Sequence, residues 1–253
     1  MKVDSNELVV SGAECAELLT VVIPVYNESA SIAGVVDGIV RELTEAPLAC
    51  RVLILNDGST DWSDELERRL TIHDRVSLRH FEPNRGKGAV LNQAFPTLDS
   101  EIAVVIDADG EYAANDILTV VRPLLENRAD WVMGSRYGFG RLRPRQYRLT
   151  YLANRGINLW FRLLSGMPTL DLLTGLYAFR TELVSGVILR ESRFSYSAEL
   201  IWKVLHNRAI RLVEVPISYR FRTYAEGKKI QWWETATILL ALLRYKFVRR
   251  RRG

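Results

Sequence analysis

The first 135 residues alternate short, β-branched apolar runs with longer stretches of helical periodicity. That alternation restricts the fold more than any other feature of the sequence. Val21–Tyr26, Arg51–Leu55, Val76–His80, Ile102–Ile106 and Trp131–Gly134 are predicted as short buried strands. Ser31–Glu45, Ser63–Leu70, Lys87–Phe95 and Asn115–Asn127 are predicted as the helices between them. Strand followed by helix, repeated, implies an α/β fold: an open, mostly parallel sheet with helices on both faces. The later half is less regular. Leu176–Arg180 is predicted as a strand, Ala198–Asn207 as a helix, Arg211–Tyr219 as a strand of period two, and about Gln231 to Phe247 as a final helix.

At 253 residues the chain suits one large domain, or one domain with an appended tail. The segments expected are an N-terminal extension (1–19), a catalytic domain (20–229) and a C-terminal amphipathic helix with a basic tail (230–253). Cys15 and Cys50 have no metal-ligand spacing and cannot form a disulfide framework, which favours a reducing compartment. Asp4, Glu7, Glu14 and Glu17 interrupt any apolar signal segment. The late apolar run Ala236–Leu243 is shorter than the about 20 residues that cross a bilayer, so no transmembrane helix is expected. The net charge of +4 is modest but unevenly placed. Arg136 to Leu170 holds seven arginines and no acid, and Arg220 to the end holds ten basic residues against Glu226 and Glu234. Such patches fit a solvated face or an anionic partner: nucleic acid, lipid headgroups or phosphate substrates. In the final helix, Trp232 and Trp233 at one end and Arg249–Arg252 at the other suit a water–lipid interface.

Ligands of open α/β sheets bind beyond the carboxyl ends of the strands. Polar clusters fall there three times: Tyr26-Asn27-Glu28, Asn56-Asp57-Gly58-Ser59-Thr60-Asp61 and Asp107-Ala108-Asp109-Gly110-Glu111. Any one of them could be a cap or a turn. Three on one edge mark a site. On an extended segment Asp107 and Asp109 project the same way. Two such carboxylates repel unless a cation lies between them. Hard oxygens suit Mg²⁺ or Mn²⁺, which bridges to a diphosphate, and Glu111 could add a third ligand. Asn84-Arg85-Gly86-Lys87-Gly88 lacks the spacing of a nucleotide-hydrolase phosphate loop, so Gly86 and Gly88 are read as allowing close backbone approach at a helix start. His73, His80 and His206 are assigned no chemistry.

In their order these clusters resemble glycosyltransferase family 2, and within it the dolichyl-phosphate mannose synthase type. The resemblance extends over about residues 20 to 247. Its later motifs are Gly134-Ser135-Arg136-Tyr137, Glu214-Val215-Pro216-Ile217-Ser218-Tyr219, and Arg222 through Ile230. It implies a GT-A fold and an inverting transfer of mannose or glucose, from GDP-mannose or UDP-glucose, to a polyprenyl or dolichyl phosphate. By position Pro24, Tyr26, Glu28, Leu55 and Asp57 resemble the nucleoside pocket. Asp107, Ala108 and Asp109 resemble the ribose and diphosphate contacts, and Asp109 and Glu111 the ligands of Mg²⁺ or Mn²⁺. Arg136, Arg222 and Lys228 resemble the groups that grip donor and acceptor phosphates, with Arg148 and Arg155 near the acceptor phosphate. Asp107, Asp109 and Arg136 are the expected catalytic residues. Asp171, Thr174 and Gly175 fall at a family motif that shapes the acceptor loop, by direct contact or by structural support, and Glu199 is similar.

An ionised phosphate acceptor is already nucleophilic, so the site needs to neutralise and align two anions rather than supply a strong base. Arginines suit that task. An alcohol acceptor would call for a positioned carboxylate. Three positions depart from the family pattern: Glu111 stands where Gln is usual, Asn56 replaces an acid, and Thr150 to Asn154 replace an Arg-x-x-x-Ser. The expected partners are a nucleotide sugar, a polyprenyl phosphate and the cytoplasmic membrane face, met peripherally, and no nucleic acid. Three rivals make different predictions. A glycan-hydroxyl acceptor would make transfer indifferent to the lipid phosphate. A sugar nucleotidyltransferase would release pyrophosphate. A non-catalytic basic module would leave Asp107–Glu111 without a role.

Overall fold

A computed structural model describes residues 18–46, 48–137, 148–167, 171–193, 195–207, 210–220, 222 and 232–247. Among the described residues seven strands form one mixed sheet: β1 (Leu19–Val25), β2 (Cys50–Asn56), β3 (Val76–His80), β4 (Ile102–Val105), β5 (Trp131–Ser135), β6 (Tyr177–Arg180) and β7 (Leu212–Pro216). Their order is β3-β2-β1-β4-β6-β5-β7. Only β6 runs against its neighbours, β4 and β5; the other ladders are parallel. The mostly parallel α/β sheet read from the sequence is the observed one.

Alternate residues on each strand face opposite sides of a sheet, and here both sides are buried. Leu19, Val21, Ile23 and Val25 join a core with Val52, Ile54, Ile102 and Val104. That core is covered by α1 (Ser29–Glu45) and α4 (Asp116–Leu125), through Ile32, Val36, Ile39, Ile117, Val120 and Leu124. The intervening residues Val22, Leu53, Leu55, Ala103 and Val105 face a second core. It is built from α3 (Lys87–Ala94), α5 (Arg148–Ser165), α6 (Tyr196–Asn207) and α7 (Trp232–Phe247). Each fully buried Leu, Ile or Val contributes about 1.5–3 kcal/mol of transfer free energy. Continuous apolar strands are therefore what a sheet covered on both faces requires. Trp131 is fully buried in the second core, stacked on Tyr177 at 5.5 Å and Phe179 at 4.7 Å.

The strands agree with the sequence expectations to within a residue or two, except at β7, where pairing stops at Pro216 rather than Tyr219. Ser63, read as the first residue of a helix, is instead the N-cap of α2 (Asp64–Leu70), accepting from Leu66 N at 3.2 Å. The helix α5 was not expected from the sequence. In helical projection its leucines, Trp160, Ile157 and Phe161 share one side and Arg148, Arg155, Arg162, Asn154 and Asn158 the other. A one-sided apolar pattern is therefore legible; the sequence reading follows the arginines of this stretch and not its period. The final helix is present, but Ile238, Ala241, Leu242 and Tyr245 are buried in the second core. It is thus part of the domain packing, against α5 and α6, and not a segment appended to it. Among the described residues no helix is long and apolar enough to cross a membrane. The N-terminal residues 1–17 and the arginines at 249–252 lie outside the described residues.

Candidate functional site

Strand β1 is flanked by β2 on one side and β4 on the other, so the sheet's winding reverses between β1 and β4. Ligand crevices of such sheets open at this reversal. Ile106 N donates to the Val22 carbonyl at 3.1 Å, and β4 pairs no further. Two residues on, Pro24 faces the same neighbour and has no N–H to leave unpaired. The parting of β1 and β4 is thus encoded by a proline at the strand end.

Beyond this point the first two loops are laced together. Asn27 takes a left-handed φ of 53°, which Asn tolerates. Its N–H donates to Ser59 Oγ at 3.0 Å, and its Oδ1 accepts from Thr60 N at 2.8 Å. Ser29 N donates to Asp61 Oδ2 at 3.0 Å. Asn56, the replaced acid, is buried; its Oδ1 accepts from Ser59 N at 3.0 Å and its Nδ2 lies 3.1 Å from His80 Nδ1. A neutral amide serves both contacts.

Asp57 is buried and cradles the next loop. Its Oδ1 accepts from Arg85 N at 2.7 Å, and its Oδ2 from Gly86 N at 2.8 Å and Asn84 Nδ2 at 2.9 Å. Burial holds this carboxyl above its ordinary range, against the N–H groups of Arg85 and Gly86 that favour its charge. The two glycines behave as the sequence reading expects. A Cβ on Gly86 would sit 2.4 Å from the Ser192 carbonyl oxygen, and one on Gly88 would sit 2.3 Å from that of Glu191. The 190–193 segment they admit is held by Glu199, fully buried, which accepts from the N–H groups of Arg190 and Glu191 and pairs with Lys203.

Between those glycines stands Lys87, whose Nζ pairs with Asp107 Oδ1. Burial works against its charge, but the Asp107 carboxylate and Tyr196 more than offset this, and its pKa lies far above the ordinary lysine value. A cation in the first turn of a helix opposes the helix dipole. That local conflict was a legible signal that Lys87 has another task, and the sequence reading, which assigned only the glycines, missed it. Asp109 accepts from Glu111 N at 2.9 Å. Burial, then the charges of Asp107 and Glu111, push its carboxyl up to about 7. Glu111 itself is engaged at both oxygens, by Arg222 N at 2.8 Å and by the Tyr219 hydroxyl.

Gly175 N donates to the Tyr112 hydroxyl at 2.6 Å, and a Cβ on Gly175 would fall 2.0 Å from Asp107 Oδ2. The ring of Tyr112 meets that of Tyr219 edge-on at 5.2 Å. These two tyrosines were also missed. Each follows an acidic or β-strand motif closely and gives no signal of its own.

The structure reassigns several expected contacts. Leu55 is fully buried in the second core, so its side chain forms no wall of an open pocket. Pro24 is buried as well, whereas Tyr26 is exposed at the crevice. The Asp57 carboxylate is spent on the 84–86 loop. Glu111 holds the 219–222 segment rather than standing free as a metal ligand. Arg136, expected to grip phosphate, forms a two-pronged ion pair with Asp171, at 2.8 and 2.7 Å, with its Nη2 also donating to the Leu173 carbonyl. The side chains are 8% and 0% exposed, and the guanidinium lies over the rings of Tyr137 and Tyr219. Burial opposes its charge and Asp171 restores it. Arg222 pairs with Glu28 at 2.8 Å. Ala108 is buried, and its carbonyl accepts from Ser31 Oγ at 2.9 Å. Thr174 is buried, its hydroxyl turned to Leu176. Arg155 is exposed on α5; the side chain of Arg148, and Lys228, lie outside the described residues.

A cavity of about 530 Å³ lies against this cluster, lined by Ser31, Gly34, Gly38, Asp109, Arg220 and Arg222 among others. It reaches Asp109 from the α1 side and does not include Tyr26 or Asp57. The position of the loops, at the strand reversal, is the stronger guide to where a nucleotide would enter. Among the described residues no three His, Cys, Asp or Glu side chains form a closed metal cage. An open site of one or two carboxylates, completed by phosphate oxygens and water, is how Mg²⁺ is usually held. Asp107 and Asp109 fit that description. Asp109 is raised first by burial and then by the charges of Asp107 and Glu111, and a divalent ion between the aspartates would relieve that repulsion.

A model of the family described as glycosyl transferase family 2 matches residues 20–178. A UDP-N-acetylglucosamine–dolichyl-phosphate N-acetylglucosaminyltransferase of Methanococcus voltae is 26% identical over 236 residues, covering 84% of this chain and 89% of the relative. A polyprenol monophosphomannose synthase of Mycolicibacterium smegmatis is 27% identical over 217 residues, covering 82% and 79%. Among solved structures, glucosyl-3-phosphoglycerate synthase of Mycobacterium tuberculosis, in complex with Mn²⁺, UDP-glucose and phosphoglyceric acid, superposes with a TM-score of 0.65. That likeness covers 93% of this chain and 81% of the other at 23% identity, and it bears on the fold alone. With the strand reversal, the paired aspartates and a family match over most of the sheet in agreement, this chain belongs to glycosyl transferase family 2.

Proposed function

We propose that the protein transfers a hexose or N-acetylhexosamine from a nucleoside-diphosphate sugar to a polyprenyl or dolichyl phosphate, with Mg²⁺ or Mn²⁺, at a membrane surface. The observation that carries this reading is the convergence of Asp107, Asp109 and Lys87 at the crevice between β1 and β4. It is supported by the two relatives, whose names specify dolichyl-phosphate and polyprenol acceptors.

Asp107 and Asp109 would hold the divalent ion, which when bound supplies charge stabilisation to the departing diphosphate. Lys87 orients Asp107 through their ion pair, and its permanent charge adds to the positive field beside the leaving group. Tyr26 and the laced 27–29 and 59–61 loops form the rim that would receive the nucleoside. The Arg222–Glu28 pair closes the opposite rim, and donor phosphate could draw Arg222 away from Glu28. The acceptor phosphate attacks as an anion, so these residues position charges and need not remove a proton.

The test is transfer of radiolabelled sugar from GDP-mannose, UDP-glucose and UDP-N-acetylglucosamine to an organic-extractable product. Wild type should form it with Mg²⁺ or Mn²⁺, lose it with EDTA, and fall by about 10²–10³-fold in Asp109→Ala. Product formed on a water-soluble phosphate but never on the lipid would overturn the acceptor, and metal-independent transfer would overturn the ion.

A further inference from the structure

The outward face of α5 has a composition that the chemistry of the crevice does not require. Leu152, Leu159 and Leu163 are 62%, 56% and 67% exposed. At 3.6 residues per turn they fall within about 40° of one another. Gly156 lies in the same stripe, and Arg155 and Arg162, both exposed, lie on its flank. The opposite side of the helix is buried through Ile157, Asn158 and Phe161. An isolated exposed leucine needs no explanation. Three on one stripe, beside arginines, do. We propose that this face of α5 docks the enzyme on anionic lipid, with the leucines entering the acyl boundary and Arg155 and Arg162 at the phosphate level.

Charge decides the occupant. Between Arg136 and Leu170 there is no acidic residue. A second copy packed on this stripe by a two-fold axis would bring arginine against arginine with no carboxylate in either helix to answer it. A surface of lipid phosphates is complementary to the arginines and accepts the leucines at the same depth. The neighbouring helix α7 also leaves Leu240 and Phe247 exposed, beside Arg244 and Lys246, so the apolar and basic character continues onto the helix it packs against.

The face is also wired to the crevice. From the start of α5, Asn154 donates to the Tyr137 hydroxyl, next to Arg136. From its buried side, Asn158 Oδ1 accepts from Leu172 N at 2.9 Å. Leu172 follows Asp171, which holds Arg136, and precedes Gly175, which lies against Asp107. Docking through α5 would therefore set the carboxylate cluster at a fixed height above the lipid surface. The purpose given to this face rests on the lipid-phosphate acceptor reading; its test does not.

The experiment is co-sedimentation of the full chain, without donor or acceptor, with vesicles of phosphatidylcholine alone or mixed with phosphatidylglycerol. Wild type should bind the anionic vesicles, and more weakly as salt is raised. Leu159→Ser with Leu163→Ser should weaken binding by at least about tenfold, with an unchanged circular dichroism spectrum. Arg162→Gln should weaken it less and flatten the salt dependence. Leu240→Ser with Phe247→Ser separates the two helices. Wild type that fails to bind anionic vesicles overturns the proposal. So does binding lost in the α7 pair and untouched in the α5 pair, and so does a dimer in solution that the α5 pair dissociates. Vesicle binding that follows α5 while no lipid product forms upholds the docking face and counts against the acceptor reading alone.

Discussion

Around Asp57 the chain is held by neutral donors; around Asp171 it is held by a buried cation. Asp57 gathers two backbone N–H groups and an amide, all from residues 84 to 86, and so fixes one short loop. Asp171 takes the whole fork of Arg136 and its backbone N–H, and so joins β5 to the segment before β6, 35 residues apart. The first arrangement loses one or two hydrogen bonds when disturbed. The second strands a full charge in a dry interior. The same residue type thus serves local order on one side of the crevice and long-range assembly on the other.

The largest effect that follows is on Asp171→Ala. Removing one partner of a buried pair leaves an uncompensated charge, worth about 3–5 kcal/mol. Urea unfolding should show that loss, and a loss under about 1 kcal/mol would break the contrast. Replacing both partners, Arg136→Met with Asp171→Leu, should recover much of it, because an apolar pair of similar volume removes the desolvation cost as well. Activity of that double variant sharpens the point. A stable but inactive protein would mean that Arg136 also touches a phosphate.

Next comes Gly175→Ala. The added methyl meets Asp107 Oδ2 at 2.0 Å and the Tyr112 ring at 2.9 Å. The aspartate end is the one able to swing, so the change should displace the carboxylate and leave the fold in place. Misplacing a catalytic group by about 1 Å costs about 10²-fold. Turnover at the wild-type rate would show that the orientation of Asp107 is set elsewhere, by Lys87.

The contrast between the two sides also governs what the sequence revealed. β-branched runs and the polar clusters at their ends predicted the sheet and the positions of Asp57, Asp107 and Asp109, because parallel strands buried on both faces admit few other residues. What the sequence could not give was partnership. Nothing in Gly134-Ser135-Arg136-Tyr137 tells that the arginine faces a buried aspartate rather than a phosphate, since either anion satisfies the same fork. Nothing near Glu111 tells that Tyr219, far along the chain, occupies it. Leu55 was misplaced for a related reason: strand periodicity assigns a face, and both faces of this sheet are core. Helix α5 is a different case: its apolar residues do share one side, and the run of arginines without acids drew attention to charge rather than to that period.

On the Asp57 side, Asp57→Asn tests whether the local cradle depends on charge. An amide can accept at one oxygen, but its NH₂ would face a donor, either Arg85 N or Gly86 N. A buried donor left unsatisfied costs about 1–3 kcal/mol, less than the expected loss at Asp171. The damage should stay near residues 84 to 88 and appear as faster amide exchange there. Protection lost across β5 and β6 instead would mean that the two sides are not separable.

The smallest expected effect belongs to α5. Leu163 is 67% exposed and contributes little apolar burial to the folded chain, so Leu163→Ser should change unfolding stability by no more than about 0.5 kcal/mol. Yet it lies within two residues of Phe161 and Leu164, in a helix whose inner side is core. A chain selected only for folding would gain by a polar residue here, since serine at an exposed helical position costs a few tenths of a kcal/mol in propensity and reduces self-association. Urea unfolding at low protein concentration measures the first quantity alone. A loss above about 1 kcal/mol would place Leu163 in the packing of the domain and remove the reason to look for a surface that it meets. A negligible loss would leave the leucine without a folding role, on a helix whose other side reaches Asp171 through Leu172.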